Sequence, residues 1–234
     1  MAEITTEMVE FSANGSTAPG YLAQPHSAQS DGDQPVPGVV VIQEWWGLND
    51  HIKQVAERCA EAGFVALAPD LYRGEIATEP DDARKLVMAL EFPRAVADIQ
   101  GAVDYLRALG RVEPKQIGVV GFCMGGVLTG LTAVQGRDIG AAVGFYGVRA
   151  LSDEDAEKIS APLLAIYGEA DSGYPLEMVR ENERKLQAAG KTAEVVVYPG
   201  APHAFFNDTR PSFRPEAAED AWARTLAWFR AHLR

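Results

Sequence analysis

Apolar positions along the chain fall into two repeating patterns. Short β-branched or apolar runs, "GVVVIQE", "FVALAPD", "QIGVVGF", "AAVGFYG", "PLLAIYGEAD" and "AEVVVYPG", are apolar on consecutive positions. Such runs predict strands, with "GVVVIQE" and "FVALAPD" buried on both faces. Between them lie stretches with helical spacing. "NDHIKQVAERCAEAG" has Asn49 or Asp50 as N-cap and Gly63 as its stop. A helical stretch from about Asp81 to Leu109 is interrupted at Pro93, and "GGVLTGLTAVQG", "LEMVRENERKLQAAG" and "EAAEDAWARTLAWFRAHL" complete the set. Ahead of all these, "TTEMVEF" and "APGYLAQP" predict two strands joined by a turn at "SANGS". The polar segment from Gln24 to Pro37 reads as an exposed connection.

Strand and helix alternate nearly to the end, which predicts a mostly parallel sheet with helices on both faces. At 234 residues the chain suits one α/β domain spanning 1–234. Hydrophobic residues make up 47% and charged residues 23%, an ordinary globular composition. The net charge of −12 repels phosphate backbones and anionic lipid, so neither nucleic acid nor a membrane is an expected partner. Two cysteines, Cys59 and Cys123, make no disulfide framework, and no metal-ligand cluster or cofactor motif is visible. The start is acidic and has no leader pattern, so the expected location is cytoplasmic. Nothing in the pattern sets an oligomeric state.

In a sheet of this kind the chemistry gathers at the carboxyl ends of the strands. Those ends carry Gln43 and Glu44, Asp70, Cys123, Tyr146, Asp171 and His203. Cys123 stands in "GFCMG", a G-x-nucleophile-x-G turn with cysteine where serine is usual. Gly121 and Gly125 remove side chains that would crowd a sharp strand-to-helix reversal. The turn lifts the thiol above the sheet and aims the first helical amides at a reacting centre. The competing reading is a turn whose cysteine only packs, as free cysteines commonly do. The order Cys123, Asp171, His203 is the α/β-hydrolase order of nucleophile, acid and base. His26, His51 and His232 lie in a loop, a helix start and the tail, leaving His203 as the natural base. Asp171 can also serve as a helix N-cap ahead of "SGYPLEMV". Asp70 precedes the nucleophile, and Asp208 lies too near His203 to reach across. Cys59 sits within a helix and reads as packing.

The stretches "VIQEWWGL", "APDLY", "GFCMGG", "YGEADSG" and "PGAPHAFF" together resemble the dienelactone hydrolase (carboxymethylenebutenolidase) family of α/β-hydrolases. The resemblance implies a Cys-His-Asp triad at Cys123, His203 and Asp171. It also implies that Glu44 contacts the thiol and helps to deprotonate it when substrate enters. A carboxylate beside a thiol disfavours the thiolate, so a resting Glu44 keeps the sulfur protonated. The amides of Trp45 and Met124 are the expected oxyanion hole. Trp46, Tyr146, Arg84 and Arg210 are candidate substrate contacts, with Trp45 and Trp46 equally suited to covering the core. The family holds a substrate carboxylate with two arginines, one of them a few residues after the histidine. Here "HAFFNDTRP" has Asn207 at the closer position and Arg210 further on, and after "APDLYRG" the segment offers Arg73, Arg84 and Arg94.

The expected activity is hydrolysis of a small-molecule ester or lactone through an acyl-thioester, with no cofactor. Two alternatives stand beside it. One is a broader carboxylesterase or thioesterase; the other is a non-catalytic protein on the same fold whose Cys123 senses redox state or binds a ligand.

Overall fold

The computed structural model describes residues 3–26 and 35–234. Fifteen elements follow one another: β1 (Ile4–Ala13), β2 (Ser16–Pro25), β3 (Gly38–Ile42), α1 (Asp50–Glu61), β4 (Val65–Pro69), α2 (Pro80–Ala89), α3 (Phe92–Ala108), β5 (Ile117–Phe122), α4 (Met124–Gln135), β6 (Ile139–Phe145), α5 (Asp153–Lys158), β7 (Leu163–Gly168), α6 (Leu176–Ala188), β8 (Ala193–Tyr198) and α7 (Pro215–His232). The strands form one sheet in the order β1-β2-β4-β3-β5-β6-β7-β8. β1 and β2 are antiparallel, β2 is antiparallel to β4, and the six strands from β4 to β8 run parallel. This is the mostly parallel sheet that the alternation predicts, in the α/β-hydrolase fold that the resemblance implies.

Each apolar strand serves two cores because successive side chains point to opposite faces. Val40 and Ile42 of β3, with Val119 of β5, pack under Ile99, Val103 and Leu106 of α3 and Leu128 of α4. Val39, Val41, Val120 and Phe122 face the other way, onto Ile52, Val55 and Cys59 of α1 and Phe229 of α7. Cys59 is fully buried there, and that burial pushes its thiol up to about 12, so it is an inert packing residue.

Three sequence expectations change. The turn between β1 and β2 is only two residues, Asn14 and Gly15, with φ of 52° and 73°. Asn-Gly with both φ values positive is the hairpin turn whose twist matches the flanking strands, so the pairing runs unbroken from Ile4↔Pro25 to Ala13↔Ser16. Pro93 does not interrupt a helix. The break comes before it, between Ala89 and Phe92, and Pro93 sits in the first turn of α3, where its missing N–H costs nothing. The segment Gln24–Pro37 is not uniformly a connection. Gln24 and Pro25 end β2, with Gln24 buried, and Val36 bridges to Val112. Its centre, 27–34, lies outside the described residues. The helix α5, capped by a reciprocal Ser152–Asp155 box, had no strong apolar period to announce it.

The order also places the chemistry. From β3 the chain moves outward to β4, and later resumes on the opposite side of β3 with β5. The carboxyl ends of β3 and β5 therefore open a crevice where the order reverses, the usual ligand position in such a sheet. Glu44 follows β3 and Cys123 follows β5.

Candidate active site

β5 ends at Phe122 and α4 begins at Met124, leaving Cys123 alone to make the reversal. It does so at φ 55° and ψ −115°, a conformation that costs energy for any residue with a side chain. The Cys123 amide donates to the Phe145 carbonyl, and its own carbonyl accepts from Val127, which hold the turn. The glycines are required by close approach. A Cβ at Gly121 would overlap the Gly125 carbonyl, and one at Gly125 would overlap the Ile42 carbonyl. The thiol is half-buried at the mouth of the crevice.

Asp171 follows β7 and is 4% exposed. Its Oδ1 accepts from the Gly173 amide, which fixes the carboxylate, and its Oδ2 accepts from His203 Nδ1 at 2.6 Å. It caps no helix, since α6 starts only after Pro175. His203 lies between two phenol rings: Tyr174 is parallel at 6.1 Å and Tyr146 edge-on at 5.0 Å. Burial by itself lowers the His203 pKa. Hydrogen bonds to Asp171 and Cys123, with the charges of both groups, outweigh it and push the value up to about 10. The ring therefore stands beside a sulfur and a carboxylate that both favour its protonated form. With Nδ1–H committed to Asp171, Nε2 is the nitrogen left for proton transfer.

Glu44 is 1% exposed, yet both oxygens are occupied. Tyr146 Oη donates to Oε1 at 3.4 Å and Asn207 Nδ2 donates to Oε2 at 2.7 Å. Burial, then the charges of Glu44 and Cys123, push the Tyr146 phenol well above its ordinary pKa, so it acts as a donor. Asn207 is held in turn by the Thr209 amide and hydroxyl, both donating to its Oδ1. The next residue, Asp208, meets buried His51 at 3.2 Å. Further on, the Arg210 guanidinium lies 3.9 Å from the centre of the Trp46 ring. A single loop, 203–210, thus carries the histidine and grips the β3–α1 connection at Glu44 and Trp46 and the first turn of α1 at His51.

Trp46 is buried against Ala77 and Ala83, edge-on to the half-buried Trp45 at 5.0 Å. The two rings cover one wall of the crevice, and their backbone follows Glu44 directly. Tyr72, after β4, reaches Met124 from the same side, its hydroxyl 3.3 Å from the sulfur. The arginines divide. Arg73 pairs with Asp98 at 2.6 Å. Arg84 and Arg94 are exposed beside Asp81 and Glu91, at 3.6 and 3.9 Å, on their own helices. Arg210 alone of the four is packed on a crevice residue. Asp70 is buried and accepts from the amides of Tyr72 and Gly74, which gives it a turn-forming role.

Tyr72, Tyr174, His51 and the gripping role of Asn207 have no signal in the sequence, where an isolated aromatic or amide cannot be told from packing. Only the position of Asn207, four residues past His203, marks it.

The sequence profile described as "Dienelactone hydrolase family" matches residues 18–233. The chain belongs to the dienelactone hydrolase family. It is accordingly an ester or lactone hydrolase on the α/β-hydrolase fold. Among relatives, "Protein usf" of Aquifex pyrophilus is 39% identical, covering 97% of this chain and 99% of that one. A protein of Methylorubrum extorquens named "Putative carboxymethylenebutenolidase" is 36% identical, covering 92% of this chain and 77% of its own. Among solved structures, the "Putative Dienelactone Hydrolase" of Klebsiella pneumoniae superposes with a TM-score of 0.88 at 32% identity, over 98% of this chain and all of that one. No helix among the described residues is long and apolar enough to cross a membrane.

Proposed function

We propose that this dienelactone hydrolase-family protein cleaves a carboxylic ester or lactone with Cys123 as nucleophile, His203 as acid and base, and Asp171 as the group that orients the imidazole. The observation that carries this reading is the 2.6 Å contact of Asp171 with His203 Nδ1, in a ring whose proton affinity Cys123 also raises. The thiol proton passes to His203 Nε2, and the sulfur attacks the carbonyl carbon. The carbonyl oxygen becomes an oxyanion facing the amides of Trp45 and Met124, in a site where fixed dipoles outperform water. As the tetrahedral centre collapses, the carbon–oxygen bond to the leaving group breaks, and that oxygen takes the proton from His203. Water, deprotonated by His203, then attacks the thioester and returns the thiolate.

Glu44 guards the resting state. Held by Tyr146 and Asn207, it places negative charge near the sulfur and disfavours premature thiolate. Substrate entering the crevice displaces the carboxylate from these partners and, by moving its charge off the sulfur, helps the thiol proton pass to His203. Trp46, Tyr146 and Arg210 are the substrate contacts this arrangement supports. Arg210 is the arginine placed to meet a substrate carboxylate, and Arg84, exposed on α2, contributes only where an arm of the substrate leaves the crevice.

A panel of charged and uncharged lactones and chromogenic esters tests the reading. Turnover is expected in the native protein and its loss in Cys123→Ala. Reversible oxidation of Cys123 without turnover of any ester would instead establish a redox-sensing thiol. Equal rates on neutral and carboxylate-bearing substrates would establish a general esterase.

A further inference from the structure

The charge of Cys123 acts on three tyrosines, Tyr72, Tyr146 and Tyr174. Tyr146 holds Glu44 and Tyr174 stacks on His203, which leaves Tyr72 without a task. Its backbone is pinned from two sides. Asp70 Oδ1 accepts from the Tyr72 amide at 3.0 Å, and Gln43 Oε1, just past β3, accepts from the Leu71 amide at 3.1 Å. The ring lies against Gly47, where a Cβ would stand 3.3 Å from the ring carbon Cδ2. Its far end reaches Met124, with the hydroxyl donating to Sδ at 3.3 Å. Tyr72 therefore spans the gap between the β3–α1 connection and the first residue of α4. Those two segments carry the Trp45 and Met124 amides.

The partner of the hydroxyl is the informative feature. Tyr72 and Met124 are both buried, at 7% and 5% exposure. A buried phenol ordinarily finds a good acceptor, and a thioether is a weak one. The carboxylate two residues away, Asp70, is occupied by the amides of Tyr72 and Gly74. Burial, then the charge of Cys123, raise the phenol above its ordinary pKa, so the hydroxyl keeps its proton through neutral pH. A firmly held donor on a weak acceptor is ready for a stronger one.

We infer that the Tyr72 hydroxyl is a third oxyanion donor, turning from the Met124 sulfur to the substrate's carbonyl oxygen as Cys123 attacks. The inference rests on the thioester reading above. In that reading the carbonyl carbon becomes bonded to Cys123, and its oxygen faces the amide of Met124, the residue that the hydroxyl already touches. Negative charge on that oxygen appears only as the sulfur–carbon bond forms. A hydrogen bond to a charged oxygen is about twice as strong as one to a neutral oxygen. The contact is therefore stronger in the transition state than in the bound ester, which is the condition for catalysis. The hydroxyl donates without giving up its proton, and the proton transfers stay with His203.

The test compares turnover of 4-nitrophenyl acetate by the native protein and by Tyr72→Phe, which keeps the ring on Gly47 and removes the hydroxyl. With two amide donors remaining, kcat and kcat/KM are both expected to fall by about 10–100-fold. A phenethyl trifluoromethyl ketone supplies the second readout. Its carbonyl carbon adds the Cys123 sulfur and its oxygen becomes an oxyanion, so Tyr72→Phe should weaken its inhibition by a similar factor. Placing 3-fluorotyrosine at position 72, a stronger donor of nearly the same shape, should raise kcat, and it keeps the test available if Tyr72→Phe fails to fold. Native kcat in Tyr72→Phe, a change confined to KM, a kcat loss with undiminished ketone inhibition, or a kcat lowered by the fluorotyrosine each overturns the assignment and leaves the thiol mechanism standing. No turnover of any ester in the native protein overturns both.

Discussion

Asn207 Nδ2 donates to Glu44 Oε2 at 2.7 Å, joining residues 163 positions apart across the crevice. A neutral amide, not a guanidinium, thus anchors the buried carboxylate. Truncation to Asn207→Ala leaves Glu44 with the longer Tyr146 bond as its remaining partner. A hydrogen bond to a charged group contributes about 1.5–3 kcal/mol. A destabilisation of that size is expected in urea unfolding, and it should shrink when Glu44→Gln is combined with it. Independent, additive losses would show that the two side chains are not coupled.

Asp171 fixes which nitrogen of His203 is free. In Asp171→Asn the amide can donate to Nδ1, which moves the ring proton to Nε2, the wrong tautomer for taking a proton from sulfur. The corresponding change in a serine triad lowers kcat about 10⁴-fold, and a loss of roughly that order is expected here with ester substrates. A loss under tenfold would mean that Asp171 does not orient the base.

The raised His203 pKa gives a signed pH dependence. Asp171 and Cys123 favour the protonated ring up to about pH 10, so once the thiol proton has passed to the imidazole it is held there until the leaving group takes it. Activity should therefore hold through neutral pH and fall as pH rises past about 10. Cys123→Ser removes a group that ionises, and with it part of the upward push, so the ring should titrate lower. Imidazole NMR titration of the two proteins reads this directly. An unchanged midpoint would detach Cys123 from His203.

His51 acts in the opposite sense on stability. Burial lowers its pKa, against the upward pull of Glu44 and Asp208 and with a smaller downward push from Arg58. Well above pH 6.5 folded and unfolded chains both hold it neutral. As pH falls below 6.5 the unfolded chain takes up a proton that the folded one resists, and stability declines by at most about 1.4 kcal/mol per pH unit. His51→Gln should flatten that acid slope between pH 6.5 and 5 in urea unfolding, with Glu44, Asp208 and Arg58 left in place.

Gly121→Ala tests the turn. The added methyl overlaps the Gly125 carbonyl, which cannot move without shifting α4. The expected cost is at least about 2 kcal/mol, which lowers Tm by about 4–8 °C in a chain of this size. A native-like melting temperature would refute the packing argument at the elbow.

Much of this architecture is legible in the chain because local chemistry decides it. The β-branched runs of β3 to β7 announce buried strands, and the glycines around Cys123 announce a reversal. The positions of Asp171 and His203 at successive strand ends anticipate the contact that joins them. Other features depend on topology. That Glu44 and Cys123 share a crevice follows from β3 and β5 being neighbours, which no local pattern states. Tyr174 stacking on His203 and Asn207 bonding Glu44 are long-range meetings of residues unremarkable in their own segments. Pro93 misleads because the same residue that breaks a helix interior begins one well.

The grip of the 203–210 loop on the β3–α1 connection constrains how such a hydrolase can be altered. Asn207, Asp208 and Arg210 are each committed to a partner on the opposing wall. Changes along that loop disturb the surroundings of His203, Glu44 and the tryptophan wall together. The outer face of α2, where Arg84 and Lys85 pair with Asp81 and Asp82 of their own helix, carries no such obligations. New specificities are therefore most accessible there, where a substitution can reshape what is admitted without retuning the chemistry.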